Sequence, residues 1–298
     1  MLATIFPAWL FRTGRPGRPS PRTSHVQLGL TSLESRLTPT APVIGSLSGV
    51  NIANHWIVTG QLTAGDPSTT TVAISGSVSG NATVRADGTF EFITTQTGGG
   101  AVIAEANNAD GSDTENADVA PDPGNLSPYL TMSVAYGARK AITLSGNVYD
   151  DHPANLTVTF SGSASGTTTT DVNGHYSVIL TAISLGTVSA SVTNGQSLAS
   201  NTPSVVLVSN APVISGLVAN NDGSFMLKLR GRVTDEDPAG LIVNFTSTIT
   251  QVNGRTATVG SDGWFELDVI IMPNTHGVIE VDTADWWGED SNTASTTI

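Results

Sequence analysis

The chain has 298 residues, of which 39% are hydrophobic and only 12% charged, and it contains no cysteine. That length admits two or three domains, and the charged fraction is about half the usual quarter of a globular chain. Long helices need Ala, Leu, Glu and Lys on their solvent faces and are disfavoured; short β-branched strands joined by Gly, Asn and Asp turns are favoured. A disulfide framework and thiol chemistry are excluded.

The net charge is −13, unevenly spread. Residues 1–40 carry Arg12, Arg15, Arg18, Arg22 and Arg36 against Glu34 alone. Their Arg, Pro, Ser and Gly content reads as a disordered basic arm. The apolar start MLATIFPAWLF precedes its arginines, the reverse of a secretory signal. No apolar run reaches the length of a spanning helix. Residues 41–298 carry 7 basic and 24 acidic side chains, which disfavours nucleic acid as a partner and favours divalent cations.

Beyond the arm the chain repeats. Pro42, Pro128 and Pro212 open three copies; Gly60, Gly146 and Gly231 follow, then Pro67, Pro153 and Pro238. Asp87-Gly88-Thr89-Phe90, Asn173-Gly174-His175-Tyr176 and Asp262-Gly263-Trp264-Phe265 complete the pattern. The unit is about 85 residues, with copies at 41–124, 125–209 and 210–298, and the third has a short insertion after Pro238. The junctions VAPDPGN and VSNAP read as short semi-rigid tethers, which predicts an elongated monomer.

Within a copy the apolar period is two. In the second, Ile142, Leu144 and Val148 alternate with polar residues, as do Leu156, Val158 and Phe160, then Tyr176, Val178 and Leu180, then Val188, Ala190 and Val192. This is the pattern of half-buried antiparallel strands, with the N-G and D-G pairs as turns. About seven strands per copy predict an all-β chain of three tandem Ig-like, fibronectin-III-like or cadherin-like sandwiches.

The G-x-V-x-D-x-D-P turn (Gly231 to Pro238), the D-G-x-F hairpin (Asp262 to Phe265) and the ending from Thr283 to Gly288 resemble the bacterial Ig-like and cadherin-like modules of surface and extracellular proteins. Separately, LTSLESRLTP (Leu30 to Pro39) resembles the L-E-x-R-x-x-P segment near the start of many planctomycete exported proteins. The resemblances imply a fold and export to the cell surface or beyond, not an activity.

Acidic side chains gather on two loops expected at one end of each sandwich. Asp235, Glu236 and Asp237 lie between the second and third strands of copy 3, Asp150 and Asp151 in copy 2, and Asp66 in copy 1. The loop before the last strand carries Asn108, Asn194 and Asp285. Converging carboxylates are calcium ligands, so the metal candidates are Asp235, Glu236, Asp237, Asp285, Asp150 and Asp151. The competing reading is that Asp before Pro only builds a tight turn. Trp286 and Trp287 are the ligand-contact candidates, set against a plug over the core. His55-Trp56 reads as core.

The five histidines form no ligand or catalytic spacing, and no nucleophile elbow occurs. These features predict a non-catalytic surface spacer or adhesion protein, with other surface proteins or glycans as partners. A carbohydrate-binding array, or a fragment of a larger exported enzyme, is the alternative.

Overall fold

The computed structural model describes residues 40–221 and 225–298. The expected basic arm and the L-E-x-R-x-x-P segment lie outside the described residues. Among the described residues there is no helix, and 22 strands form three sandwiches.

The first comprises β1 (Val43–Ile52), β2 (His55–Ala64), β3 (Thr71–Gly76), β4 (Gly80–Val84), β5 (Thr89–Thr95), β6 (Gly100–Asn108) and β7 (Gly111–Val119). The second comprises β8 (Tyr129–Leu130), β9 (Ser133–Tyr136), β10 (Ala141–Tyr149), β11 (Thr157–Gly162), β12 (Gly166–Thr169), β13 (His175–Thr181), β14 (Gly186–Val192) and β15 (Ser204–Leu207). The third comprises β16 (Val213–Asn221), β17 (Met226–Thr234), β18 (Ile242–Ser247), β19 (Thr256–Thr258), β20 (Trp264–Ile270), β21 (Val278–Asp282) and β22 (Ala294–Thr297).

All pairings are antiparallel, and the order is the same in each repeat. One sheet is A–B–E, as in β16-β17-β20; the other is C′–C–F–G, as in β19-β18-β21-β22. In the second repeat strand A is split into β8 and β9, both paired to β10. In the first, β4 pairs with both β3 and β5 and joins the two sheets into one seven-stranded path. This is the Ig-like, fibronectin-III-like sandwich expected from the strand count.

The period-two pattern fills three separate cores. Leu227, Leu229 and Val233 of β17 face Val243 and Phe245 of β18. Ile142, Leu144 and Val148 face Val158, Phe160, Val188 and Ala190. Trp56 is fully buried with Val58, Val72, Val102 and Ala104, and its indole N–H donates to the Gly98 carbonyl. The extra residues of the third repeat lie between β18 and β19, where Ile249 and Val252 turn inward and join the core.

The landmark residues now have a cause. Gly60 is the cross-strand partner of Phe90, Gly146 of Tyr176 and Gly231 of Phe265. Gly60 and Gly231 lie against the ring of the aromatic opposite, where a Cβ at Gly231 would fall 2.5 Å from Phe265 Cζ; Gly146 lies against the Thr131 backbone and the Tyr176 hydroxyl. The aromatic ring covers the gap a glycine leaves in strand B. The turn glycines Gly88, Gly174 and Gly263 have φ of 81°, 83° and 80°, a region that L side chains adopt only with strain. Their carbonyls accept from the N–H groups of Leu62, Val148 and Val233, which ties the turn to the end of strand B.

Gly231→Ala is therefore expected to cost about 1–3 kcal/mol by overpacking. Gly195→Ala, with nothing within 4 Å of the added methyl, should stay within about 0.5 kcal/mol of the parent. Thermal melts of the two variants check this contrast; equal losses would show that the ring contact is not the constraint.

Candidate functional site

The B–C and F–G loops lie at the same end of each sandwich, as expected, and in the second and third repeats that end meets the preceding repeat. At the joint between repeats 2 and 3, the A–B hairpin tip of repeat 2 reaches the two acidic loops of repeat 3. Arg139 and Lys140 form the tip, with φ of 52° and 67°, the paired left-handed geometry of a tight hairpin turn. The Arg139 N–H donates to Asp237 Oδ2 at 2.9 Å.

Trp286 and Trp287 divide between the two repeats. Trp286 packs on the core of its own repeat, and its indole N–H donates to the Asp237 carbonyl at 3.1 Å. Trp287 packs against the core of repeat 2 and meets Tyr136 edge-on, with centroids 6.2 Å apart. The Arg139 guanidinium lies 5.0 Å over Trp286 and the Lys140 ammonium 5.9 Å over Trp287. Both rings are half-buried. The tandem is thus a plug over one core and a bridge to the next.

Asp285 shapes the loop that carries them. Its Oδ1 accepts from the N–H groups of Trp287 (2.9 Å) and Glu289 (2.7 Å), and its Oδ2 accepts from Ser209 Oγ in the linker. Asp235 Oδ1 accepts from the Asp237 N–H. Glu236 Oε1 accepts from Asn210, also in the linker. Asp235 Oδ2 is buried and has no hydrogen-bond partner. Burial, then Glu236, Asp285 and Asp237, push the Asp235 carboxyl above the ordinary carboxylate range.

In repeat 2 the equivalent residues are Asp150 and Asn194. Asp150 Oδ1 accepts from the His152 N–H, and its Oδ2 accepts from Asn194 Nδ2 at 2.9 Å. Asn194 Oδ1 organises its loop through the N–H groups of Gln196 and Leu198. Asp151 lies beside the linker residue Asp122; burial, then Asp122 and Asp150, raise its carboxyl. Asp122 Oδ2 accepts from the Ala53 N–H at the A–B tip of repeat 1. In repeat 1, Asn108 Nδ2 donates to the Thr40 carbonyl, and Asp66 caps its own turn through the N–H and hydroxyl of Ser68.

The six metal candidates therefore sit on the predicted loops, but their oxygens are divided among separate hydrogen bonds. Among the described residues, no three Asp, Glu or His side chains are grouped so as to hold a metal ion. Asp235, Asp285 and Asp150 each accept a hydrogen bond from a backbone N–H two residues on, within their own turns, whereas the Asp237 carboxylate bonds to Arg139 of the preceding repeat.

Sequence reasoning missed the partners across the joints. Tyr129 donates its hydroxyl to Glu91 Oε2 at 2.6 Å, and Arg85 reaches the same oxygen at 3.1 Å. Burial, then the hydrogen bond to Glu91, raise the Tyr129 phenol far above its ordinary value. His55 packs against Tyr149, the cross-strand neighbour of Tyr129, with ring centroids 4.9 Å apart and the planes tilted by 53°. These residues belong to different repeats, and no local motif marks them. Trp264 is one of the exposed aromatics, with Phe225 and Tyr136, and Arg230 lies 4.2 Å over its ring.

No protein-family model matches the chain, and no curated protein matches it. Among solved structures it is similar to the D0-D1 domain of intimin (19% identity, 57% of this chain, 96% of that chain, TM-score 0.22). It is also similar to titin domains I67-I69 (11%, 86% and 96%, 0.26) and to the BSP domain of a biofilm associated protein (10%, 89% and 67%, 0.23). Values of this size carry no argument about function.

Trp287→Ala is expected to weaken the second joint by about 1–2 kcal/mol while each sandwich stays folded. Limited proteolysis should then cut faster between Val208 and Ala211, with the β circular-dichroism signal retained. An unchanged cleavage rate would place Trp287 outside the joint's energetics.

Proposed function

We propose that the chain is a non-catalytic structural or adhesive repeat protein of the cell surface or extracellular space, its sandwiches acting as spacers held by specific joints. The observation that carries this reading is the commitment of the most distinctive side chains to those joints. Trp286, Trp287, Arg139 and Lys140 bind repeat 2 to repeat 3; Tyr129, Tyr149, His55 and Glu91 bind repeat 1 to repeat 2. Groups that would otherwise serve a ligand connect modules instead. The other surface proteins and glycans expected as partners would meet the open faces rather than the joints.

The alternative reading, a carbohydrate-binding array, rests on one residue. Trp264 is exposed beside Arg230 and Glu266, which are 3.5 Å apart, and offers an aromatic face with charged neighbours. It replaces Trp286 and Trp287 as the residue that would stack on a sugar.

Single-molecule stretching tests the spacer. Three unfolding events are expected, each releasing about 25–30 nm for a unit of about 85 residues. A single cooperative event would overturn independent modules. Labelling of intact native cells should find the chain outside. Glycan-array binding lost in Trp264→Ala but kept in Trp287→Ala would favour the carbohydrate reading.

A further inference from the structure

We propose that the A–B and E–F end of repeat 3 is a contact surface for a second copy of this chain, the same apolar cap meeting itself in a two-fold, tail-to-tail dimer. The three repeats differ at this end. The last rung between strands B and E is His55 with Thr95 in repeat 1, Ala141 with Thr181 in repeat 2 and Met226 with Ile270 in repeat 3. The residue just before it on the A–B side is Asn54, Lys140 or Phe225. In repeats 1 and 2 this end meets the next sandwich, where His55 packs against Tyr149 and Lys140 lies over Trp287. Among the described residues no other sandwich covers this end of repeat 3, yet its side chains are the most apolar of the three. Phe225 is 59% exposed, Ile270 69%, Met272 64% and Met226 37%.

The module at the end of a tandem array ordinarily turns a polar face to water. Four large apolar side chains grouped there instead mark an interaction site. The group is held in place by its surroundings. Met226 and Ile270 are cross-strand partners, and the Ile271 N–H donates to the Phe225 carbonyl at 2.8 Å. Ile271 itself is buried in the core, which fixes the chain between Ile270 and Met272. Two of the four side chains are methionines, whose flexible thioethers adapt to a partner surface.

Charge decides what covers the cap. The next two rungs inward pair Lys228 with Asp268 and Arg230 with Glu266, so the cap is bordered by compensated charge. The acidic B–C and F–G loops of repeat 3 lie at its opposite end. Two copies therefore meet here without facing like charges, despite a net charge of −13 on each. The B–C and F–G end of repeat 1 exposes Asp66 and Asp110, which suits a cationic tip such as Arg139-Lys140 and not Phe225-Met226. The surface that matches an apolar cap is a second apolar cap. Such a contact is isologous and closes at two copies. Its size puts it at or below about 1,200 Å² in total, the class of weak contacts, so the dimer should come apart on dilution.

Sedimentation velocity of the full chain over a range of concentrations tests this, at low and at high salt. Wild type should show a monomer–dimer equilibrium that high salt preserves or strengthens, because salt screens the repulsion between acidic copies and favours apolar contact. The double variant Ile270→Lys, Met272→Lys should dimerise at least tenfold more weakly, as should Phe225→Ser. Both should keep the wild-type melting temperature, since the replaced side chains are exposed. Val172→Lys, at a residue 78% exposed on repeat 2, should leave the dimer intact. A wild type that stays monomeric at the highest concentration overturns the proposal, as does a dimer that survives in the double variant. Species larger than a dimer overturn it in favour of a head-to-tail contact, and a dimer dissolved by salt overturns it in favour of an ionic one. Flotation of a monomeric wild type with phosphatidylcholine vesicles, lost in the double variant, overturns it in favour of a lipid surface.

Discussion

Each sandwich depends on one cross-strand contact, the aromatic of strand E against the glycine of strand B. With Phe90 or Phe265 filling the glycine's space, and with the Tyr176 hydroxyl and the Thr131 backbone filling it at Gly146, the two strands pair in a single register, because a shift of one residue would place a side chain where only a glycine fits. The turn glycine two residues before the aromatic then bonds back to strand B. Turn, register and first core layer are thus set by three residue types within one stretch of chain. That is why these residues, rather than the bulk of the core, stand out as the repeated landmarks.

The joints obey different physics. A core is built by area removed from water, whereas the joints combine half-buried aromatics with a few directed hydrogen bonds. Cation–π contacts and a charge-assisted bond suit such a place, because partial burial strengthens them without the full cost of desolvating a charge. Only 7 basic residues occur beyond residue 40, and Arg139 and Lys140 place two of them against the acidic loops of repeat 3. The local sign contrast favours that contact over any between two acidic surfaces.

The fold was legible in the sequence because its signals are local and repeated. Alternation in Ile142 to Val148, the Asn173-Gly174 turn and the 85-residue spacing each survive without knowledge of long-range contacts. The loops bearing Asp235 and Asp285 were legible for the same reason. Their role was not, because it depends on atoms that meet across repeats: Ser209 on Asp285, Arg139 on Asp237, Tyr129 on Glu91. For Trp286-Trp287 the sequence offered ligand contact or a plug over the core; that Trp287 meets the neighbouring core is a property of the assembly of repeats. The insertion of the third repeat was visible as a length, but not as Ile249 and Val252 entering the core.

Separate cores with thin joints have an energetic consequence. In a tandem array stability is the sum of each module's own stability and the nearest-neighbour terms. A module of this size holds on the order of 5–10 kcal/mol, while two cation–π contacts, a ring pair and a few hydrogen bonds amount to about 1–3 kcal/mol. The joints are therefore the weaker elements and open first under load, with the sandwiches intact. They are also where a small change in chemistry has the largest relative effect. One amide-to-carboxylate difference, Asn194 against Asp285, alters a negligible share of a sandwich core but a substantial share of a joint. A chain built this way can vary its inter-module stiffness by single substitutions in the B–C and F–G loops, while the glycine–aromatic constraint keeps every module folding to the same plan.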